Sequence, residues 1–573
     1  MVTLERPSAR AFALLCVGYA LLSVAWSWPL ATDPLGLDLA RHADSPNTLG
    51  LAAAVAGASN VMAPERLAWP WGQSLVRGDS FVYFLLARGL GEHHPTLVVA
   101  LCILVGPVVS ALGAERLARA LGAGFPWSAL AGVVYGFSGT AATAVLEGYG
   151  FSLLNPWMPW MVVAALRASG PDGRVRDAVV GAAMWALCLA TTAYTGIAAS
   201  MILAAVVVGG WLRHRRVPMP SVLLSLGVLL LGISAVAFFL SAPQSGRRFD
   251  PDLDTSMAMM TAGSASLGTL LWRTAASDAA VHSQGALVSS LALALSLLGS
   301  VLPGSPGARR LQVTAAVGIA LSLGPALRFT STDVGVPWLL APLARWGAGA
   351  YFRFPERLHT AVALALGALA AVALTRIAAA RPRTAAVLLA AGVLEALVGV
   401  GLPFRVAHGV WGAPTAYTAA PEGAAVLDVW PRMLGRNVEL EARLSRRMVG
   451  YAAFHRRPVL SNGLNVSAEE DGRAPVSDWL VLRARPDRSA EDADTVAQLR
   501  ALGIGAVALH PDLYTISNRA WLSDGLTRLF DAPIATSVDY GETVTVWRVA
   551  SGLPAGGRDD RIAAWTLIHD EVR

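Results

Sequence analysis

Apolar residues run for about twenty positions at a time along this chain, again and again, and nothing else restricts its fold so severely. A helix needs roughly 20 apolar residues to cross the hydrocarbon core of a bilayer. Inside that core every backbone N–H and C=O must be satisfied by the segment itself, which leaves the helix as the solution for such runs. On this basis spans are expected near 10–31, 95–113, 125–145, 152–168, 178–193, 195–212, 219–241, 285–303, 311–328, 357–376 and 384–403, eleven in all. The composition agrees: 54% of the 573 residues are hydrophobic and 15% are charged, against about 25% charged in a soluble domain. The first run follows Arg6 and Arg10 and is too long for the apolar stretch of a signal peptide. "SWPLATDPLG" is also a poor cleavage site, so a retained span is expected. The polar "TTAYTG" hinge at 191–196 separates the two most closely spaced runs.

Arginine orients the spans. With the N-terminus inside, the inner connections hold Arg116 and Arg119, then Arg167, Arg174 and Arg176, then Arg213, Arg215 and Arg216. Arg309 and Arg310 follow, then Arg376, Arg381 and Arg383, while the outer connections after 145 and 193 carry none. Basic residues collect on the cytoplasmic side, so the N-terminus is expected inside and the region after the last span outside. All 45 basic residues are Arg, without a basic run interleaved with aromatics, which argues against a nucleic-acid partner. Cys16, Cys102 and Cys188 fall inside apolar runs at spacings that suit neither a metal motif nor a disulfide framework.

Three outer segments are long: 32–94, 242–284 and 329–356. Long loops gathered on one face suggest a built structure there. In the first, "LGLAAAVAGASNVM" and "FVYFLLARGL" read as helices at the interface or in a soluble cap. After residue 403 the pattern changes. "AAVLDVW" and "GAVALHP" read as strands, "AEDADTVAQLRALGIG" as a helix ending at Gly503, and "ETVTVWRV" as a closing strand. The expected architecture is therefore a mainly α-helical polytopic membrane protein over 1–403 with a small extracytoplasmic α/β domain over 404–573.

Most polar residues of interest fall on the outer face. Asp33, Asp38, Asp44 and Asp79 come from the first loop, Glu147 from "LEGYG", His282 from the second long loop, and Arg353, Glu356 and Arg357 from "GAYFRFPERLH". Arg353 and Arg357 are four apart and share a face if "RFPERLH" begins a helix, whose first turn Pro355 suits. An Arg pair gives charge-assisted, bidentate contacts to a phosphate, and a carboxylate from another loop is placed to accept a proton. The same charges also suit headgroup anchors. Asp33 before Pro34 reads as a turn residue, and Asp79 as a site acid or as an N-cap. Glu395 is an intramembrane charge for which the neighbouring sequence offers no partner.

Several ordered segments resemble a known group. "DSPNTLGLAAAVAG" is followed by "WPWGQSLVRGD", with Pro70, Gly72, Leu75 and Asp79 in a P-x-G-x-x-L pattern ending in Asp. "AGVVYGFSGTAATAVLEGYGFSLLNPWMPW" carries Tyr135, Phe137, Ser138, Asn155, Trp157 and Pro159. "LSLGPALRF" and "YFRFPERLH", with Tyr351, come later, and "RRPVLSNG" and "LRALGIGAVALH" lie in the tail. Together these resemble the bacterial polytopic membrane proteins related to GT-C-fold glycosyltransferases, including YfhO-type proteins. The chain departs from that pattern at Glu147-Gly148, where many members have Gly-His, and at "NTLGL", where an aromatic is usual.

The resemblance implies inverting transfer of a sugar from a polyprenyl-phosphate donor to a glycan, lipid or protein acceptor at the outer face of the bacterial cytoplasmic membrane. It implies Asp44 as base with Asp38 second, Arg353 and Arg357 on the donor phosphate, and Asp79, Glu147, Asn155, His282 and Tyr351 in the remainder of the pocket. Some relatives use a divalent metal, and the sequence leaves that open. Two other readings remain at this point: a lipid or solute transporter, and a non-catalytic envelope scaffold of the same fold. Inverted repeats and mid-span breaks typical of transporters are not apparent.

Overall fold

The computed structural model describes residues 8–38, 45–59, 80–90, 94–146, 148–215, 217–241, 257, 260–261, 264–268, 289–301, 306–329, 335–345, 355–399, 409–410, 412–430, 438–460, 473–549 and 557–572. Helices dominate up to residue 399, and a mixed sheet with helices on both faces follows. Among the described residues five helices are long and apolar enough to cross a membrane: Ala9–Trp26, Pro95–Ala120, Ala193–His214, Met219–Ala237 and Pro355–Ala380.

The centre of the helical part is His359–Ala380, whose residues from Ala361 to Leu374 are all buried. It packs against Pro306–Ser322, Ala129–Gly136 and Ser290–Val301. Its sequence is nearly all Ala, Gly, Val and Leu, and lipid offers helices no hydrophobic drive to associate. Small side chains that let backbones approach supply the packing instead. At the periphery, Met219–Ser241 turns Leu229, Leu230, Ile233 and Val236 outward.

Several expected spans are redrawn. The run 125–145 is broken into Ala129–Gly136 and Gly139–Leu146, and Ser138 Oγ caps the second piece by accepting from Ala141 N at 3.1 Å. The run 152–168 begins at Trp157, after a 3-10 turn over Gly150–Leu153. The run 311–328 ends at Ser322, ahead of Gly324 and Pro325. The run 384–403 is Pro382–Leu394 followed by a π turn over Glu395–Gly399. Glu395 does find a partner, 106 residues away in sequence: Ser289 Oγ donates to it at 2.6 Å and Ser290 N at 2.7 Å. It thereby caps the N-terminus of Ser290–Val301, a favourable place for a carboxylate.

Both helices anticipated in the first outer segment are present, as Ser45–Ala56 and Phe81–Leu90. Just before them β1 (Leu37–Asp38) pairs antiparallel with β4 (Gly409–Val410), while β2 (Ala326–Leu327) pairs with β3 (Val336–Pro337). Asp33 Oδ1 accepts from Gly36 N at 2.9 Å, as its turn reading requires. Ser45–Ala56 packs on Val438–His455 so closely that a Cβ on Gly50 would lie 2.2 Å from the Val449 carbonyl oxygen. Only glycine allows that approach.

The C-terminal sheet contains β5 (Ala425–Val429), β6 (Ile504–Leu509), β7 (Ala535–Asp539) and β8 (Glu542–Arg548) in the order β5-β6-β8-β7. β5 and β6 are parallel, and the other pairings are antiparallel. Val438–His455 covers one face, while Arg473–Arg483, Asp492–Ala501, Ile516–Phe530 and Arg558–Val572 contribute to the core on the other.

Under Val438–His455 lies a buried polar cluster. His510 Nδ1 sits 2.6 Å from Glu542 Oε1, and its Nε2 sits 3.3 Å from Asp428 Oδ1. Tyr451 donates to Glu542 at 2.6 Å, Tyr417 donates to Asp428 at 2.5 Å, and Arg447 reaches Glu542 at 3.4 Å. Burial alone would push the His510 imidazole down, but the hydrogen bonds and charges of Asp428 and Glu542 override it and raise it to about 9. For Glu542 burial works upward, and His510, Tyr451 and Arg447 outweigh it, holding it at about 2.

The sign of the pH dependence follows from these directions. The His510 contribution is complete below its unfolded value near 6.5 and is lost as pH rises through about 9. The Glu542 contribution is complete above 4.5 and is lost as pH falls through about 2. Hydrogen exchange of β6 in the full chain should therefore show protection that falls from pH 6.5 toward 9, by up to about 3 kcal/mol. Flat protection across that range would contradict the assignment.

Candidate active site

A cleft with an empty volume of about 920 Å³, counting its mouth, opens among the helix ends. Its walls come from the break at Gly136–Ser138, the turn at Tyr149–Asn155, the hinge at Thr192–Thr195, and Glu356, Arg357 and Thr360 at the start of the central helix. Three helices that begin at the cleft carry an arginine toward their other end: Arg167 in Trp157–Ala168, Arg213 in the last turn of Ala193–His214, and Arg376 near the end of His359–Ala380. The cleft thus lies at the helix ends opposite the arginine-bearing turns.

Arg357 is the cation of the site. Its guanidinium lies 4.6 Å from the centre of the Tyr149 ring and 4.8 Å from that of Tyr194. Guanidinium groups pack favourably on aromatic faces, and two rings hold this one. Local structure sets both tyrosines. Gly148 adopts φ +84°, which suits glycine, and its carbonyl accepts from Thr48 Oγ1 at 2.8 Å. Thr48 belongs to Ser45–Ala56, so that helix holds the turn that carries Tyr149. Tyr194 owes its place to the "TTAYTG" hinge. Thr192 is extended, at φ −156° and ψ 154°, and its Oγ1 accepts from Thr195 N at 3.0 Å, starting a new helix. The interruption between the two runs is a wall of the cleft.

Hydroxyls line the rest. Ser110 Oγ donates to Leu153 O at 2.8 Å and accepts from Asn155 N at 3.1 Å, while Tyr135 donates to Asn155 O at 3.1 Å. Thr192 and Thr195 bond to each other at 2.9 Å. A concave site lined with hydroxyls, one amide, the buried Glu356 and a guanidinium is suited to a polar ligand bearing an anionic group.

Of the residues singled out from sequence, Tyr135, Ser138, Asn155, Glu356 and Arg357 line this one cleft. Asp38 lies in β1 beside β4. Asp44, Asp79, Glu147, His282, Tyr351 and Arg353 lie outside the described residues. The turn after Pro355 is 3-10 through Leu358 before the α-helix begins. Sequence reasoning assigned no role to Tyr149, Tyr194 or Thr140. For Tyr194 the signal was available, since an aromatic stood in a polar break between two spans. Among the described residues no group of three or more His, Cys, Asp and Glu side chains could hold a metal ion, and no chemistry below is routed through one.

No protein-family model and no curated protein matches the chain. Solved structures do match. The cryo-EM structure of the arabinofuranosyltransferase AftD from Mycobacteria has a TM-score of 0.54 at 17% identity, over 96% of this chain and 40% of that one. The chain therefore spans about two-fifths of AftD's length. ArnT from Cupriavidus metallidurans, bound to undecaprenyl phosphate, gives a TM-score of 0.47 at 14% identity, over 96% of this chain and 100% of that one. The archaeal oligosaccharyltransferase AglB from Archaeoglobus fulgidus, in complex with an inhibitory peptide and a dolichol-phosphate, gives 0.42 at 12% identity, over 90% and 71%. The chain has a GT-C-like fold and is an integral membrane protein.

Proposed function

We propose that the protein transfers a sugar from a polyprenyl-phosphate-linked donor to an acceptor hydroxyl on the outer face of the bacterial cytoplasmic membrane. The observation that carries this reading is the Arg357 guanidinium, which lies over two tyrosine rings at a hydroxyl-lined cleft in a membrane helix bundle. The paired N–H groups of a guanidinium match the oxygens of a phosphate. The hydroxyls suit a sugar, and the apolar helices suit the tail of a lipid carrier. Arginine at the opposite helix ends supports an outward-facing cleft and an N-terminus inside. The fold shared with an arabinofuranosyltransferase points the same way.

In this scheme the acceptor oxygen attacks the anomeric carbon on the face opposite the phosphate, and the bond from that carbon to the phosphate oxygen breaks. Polyprenyl phosphate leaves with the bonding pair, and a single displacement inverts the anomeric centre. Asp44 takes the acceptor's proton, with Asp38 as the second choice, and Arg353 with Arg357 stabilises charge on the leaving phosphate. Asp44 immediately precedes the Ser45–Ala56 helix, whose Thr48 holds the Gly148 carbonyl beside Tyr149. That connection supports an acid from the first loop reaching the rim where Arg357 sits.

Lipid binding tests the reading. The purified full chain in nanodiscs is expected to bind undecaprenyl phosphate at least ten times more tightly than undecaprenol, since an Arg contributes a charge-assisted hydrogen bond. Equal affinity for phosphate and alcohol would overturn it.

A further inference from the structure

Asn155 carries a polar atom that the fold itself leaves unsatisfied. The residue is 3% exposed, and its main chain is fixed by the bonds to Ser110 and Tyr135. Its Oδ1 faces the Cys188 thiol at 3.9 Å, and a thiol is a weak donor, so the oxygen of the amide is turned away from the cleft wall toward Cys188. The other end, Nδ2, is buried and has no hydrogen-bond partner among the described residues. Thr140 Oγ1, which also belongs to a cleft-lining residue, is buried and without a partner in the same way. An orphaned buried donor is costly to the folded state. Native interiors rarely keep such groups, and one explanation for an orphan in a cleft is a ligand that completes it.

The neighbours indicate which kind of ligand atom. The hydroxyls of Ser110 and Tyr135 are committed to main-chain carbonyls, and those of Thr192 and Thr195 to each other. A neutral amide and a hydroxyl without partners thus line one pocket, and among its described lining residues Arg357 is the cation. A neutral donor paired with a hydroxyl matches the oxygen of a sugar hydroxyl, and the cation matches the phosphate.

We propose that Asn155 Nδ2 and Thr140 Oγ1 bind a hydroxyl of the donor's sugar ring, which makes this part of the cleft the subsite that selects the sugar. The inference rests on the polyprenyl-phosphate-sugar reading given above and deepens it. A site built around a substrate hydroxyl discriminates strongly, because a ligand lacking that group leaves the buried donor unpaired.

The test uses the full chain in nanodiscs with two kinds of probe: undecaprenyl phosphate, and the same lipid phosphate carrying each of a panel of pentoses and hexoses. Wild type should bind at least one linked sugar more tightly than the bare lipid phosphate. Asn155→Leu should lose roughly 10- to 100-fold for that sugar, the range one lost buried hydrogen bond provides, and Thr140→Val should lose part of it. Both variants should keep the affinity for bare undecaprenyl phosphate, which also reports that they are folded. Retained sugar preference in both variants overturns the proposal. So does loss of bare-lipid binding in both, which would give these residues a role in the fold alone. A wild type that binds undecaprenyl phosphate without preferring any linked sugar overturns the subsite and leaves the phosphate reading intact. A wild type that binds no lipid phosphate overturns that reading itself, and the subsite with it.

Discussion

Replacing Arg357 by lysine should cost nearly as much as replacing it by alanine. Lysine keeps the positive charge, so a site that needed only a cation would tolerate it. The guanidinium lies over Tyr149 and Tyr194, at 4.6 and 4.8 Å, and a planar cation packs on aromatic rings in a way an ammonium does not. Lysine would lose that packing and the paired donors together. Removing one preorganised donor to a developing oxyanion costs roughly 100- to 1,000-fold in turnover. Both variants are therefore expected to lose at least about 100-fold in kcat/KM for a polyprenyl-phosphate-linked sugar. Near-normal kcat/KM in Arg357→Lys would show that charge alone suffices and that the packing on the rings has no catalytic consequence.

The second large effect is expected at Asp44. An amide in place of the carboxylate cannot accept the acceptor's proton, and a positioned general base contributes roughly 100- to 10,000-fold. Asp44→Asn should lose kcat on that scale while the KM for the donor stays close to wild type, because proton transfer belongs to the transition state. The opposite split is expected at Arg357, where donor binding also weakens. A kcat loss at Asp38→Asn with none at Asp44→Asn would transfer the role to the neighbouring acid.

How much of this was readable in the sequence depends on the range of the interaction. Apolar runs are local signals, and they located the helices. The breaks were harder. "GFSG" stayed hidden inside an apolar run because its polar content is one serine, yet it divides 125–145 into Ala129–Gly136 and Gly139–Leu146. "TTAYTG" was visible as an interruption but not as a wall of the cleft, since that depends on Arg357 arriving from a distant helix. Glu395 looked partnerless because its partners, Ser289 and Ser290, come from another segment.

The strands "AAVLDVW", "GAVALHP" and "ETVTVWRV" were legible, whereas their order β5-β6-β8-β7 was not. Asp428 and His510 stood in plain view at the ends of apolar stretches. A charged residue at a buried strand position requires partners, and here the requirement is met by the cluster they form with Glu542, Tyr417 and Tyr451. In the cleft the sequence supplied Arg357 through its spacing from Arg353 and Asn155 through family resemblance, and the structure supplied the tyrosines over which Arg357 lies.

The account stands or falls on sugar transfer. Membranes holding the full chain should be given a polyprenyl-phosphate-linked sugar labelled in the sugar, and the label should be followed from lipid to acceptor together with the anomeric configuration of the product. The expected result is release of polyprenyl phosphate with an inverted product in wild type, and neither in Asp44→Asn nor Arg357→Ala. Sugar that stays on its lipid across the panel of donors, or whole donor lipid that crosses the bilayer unaltered, would contradict it.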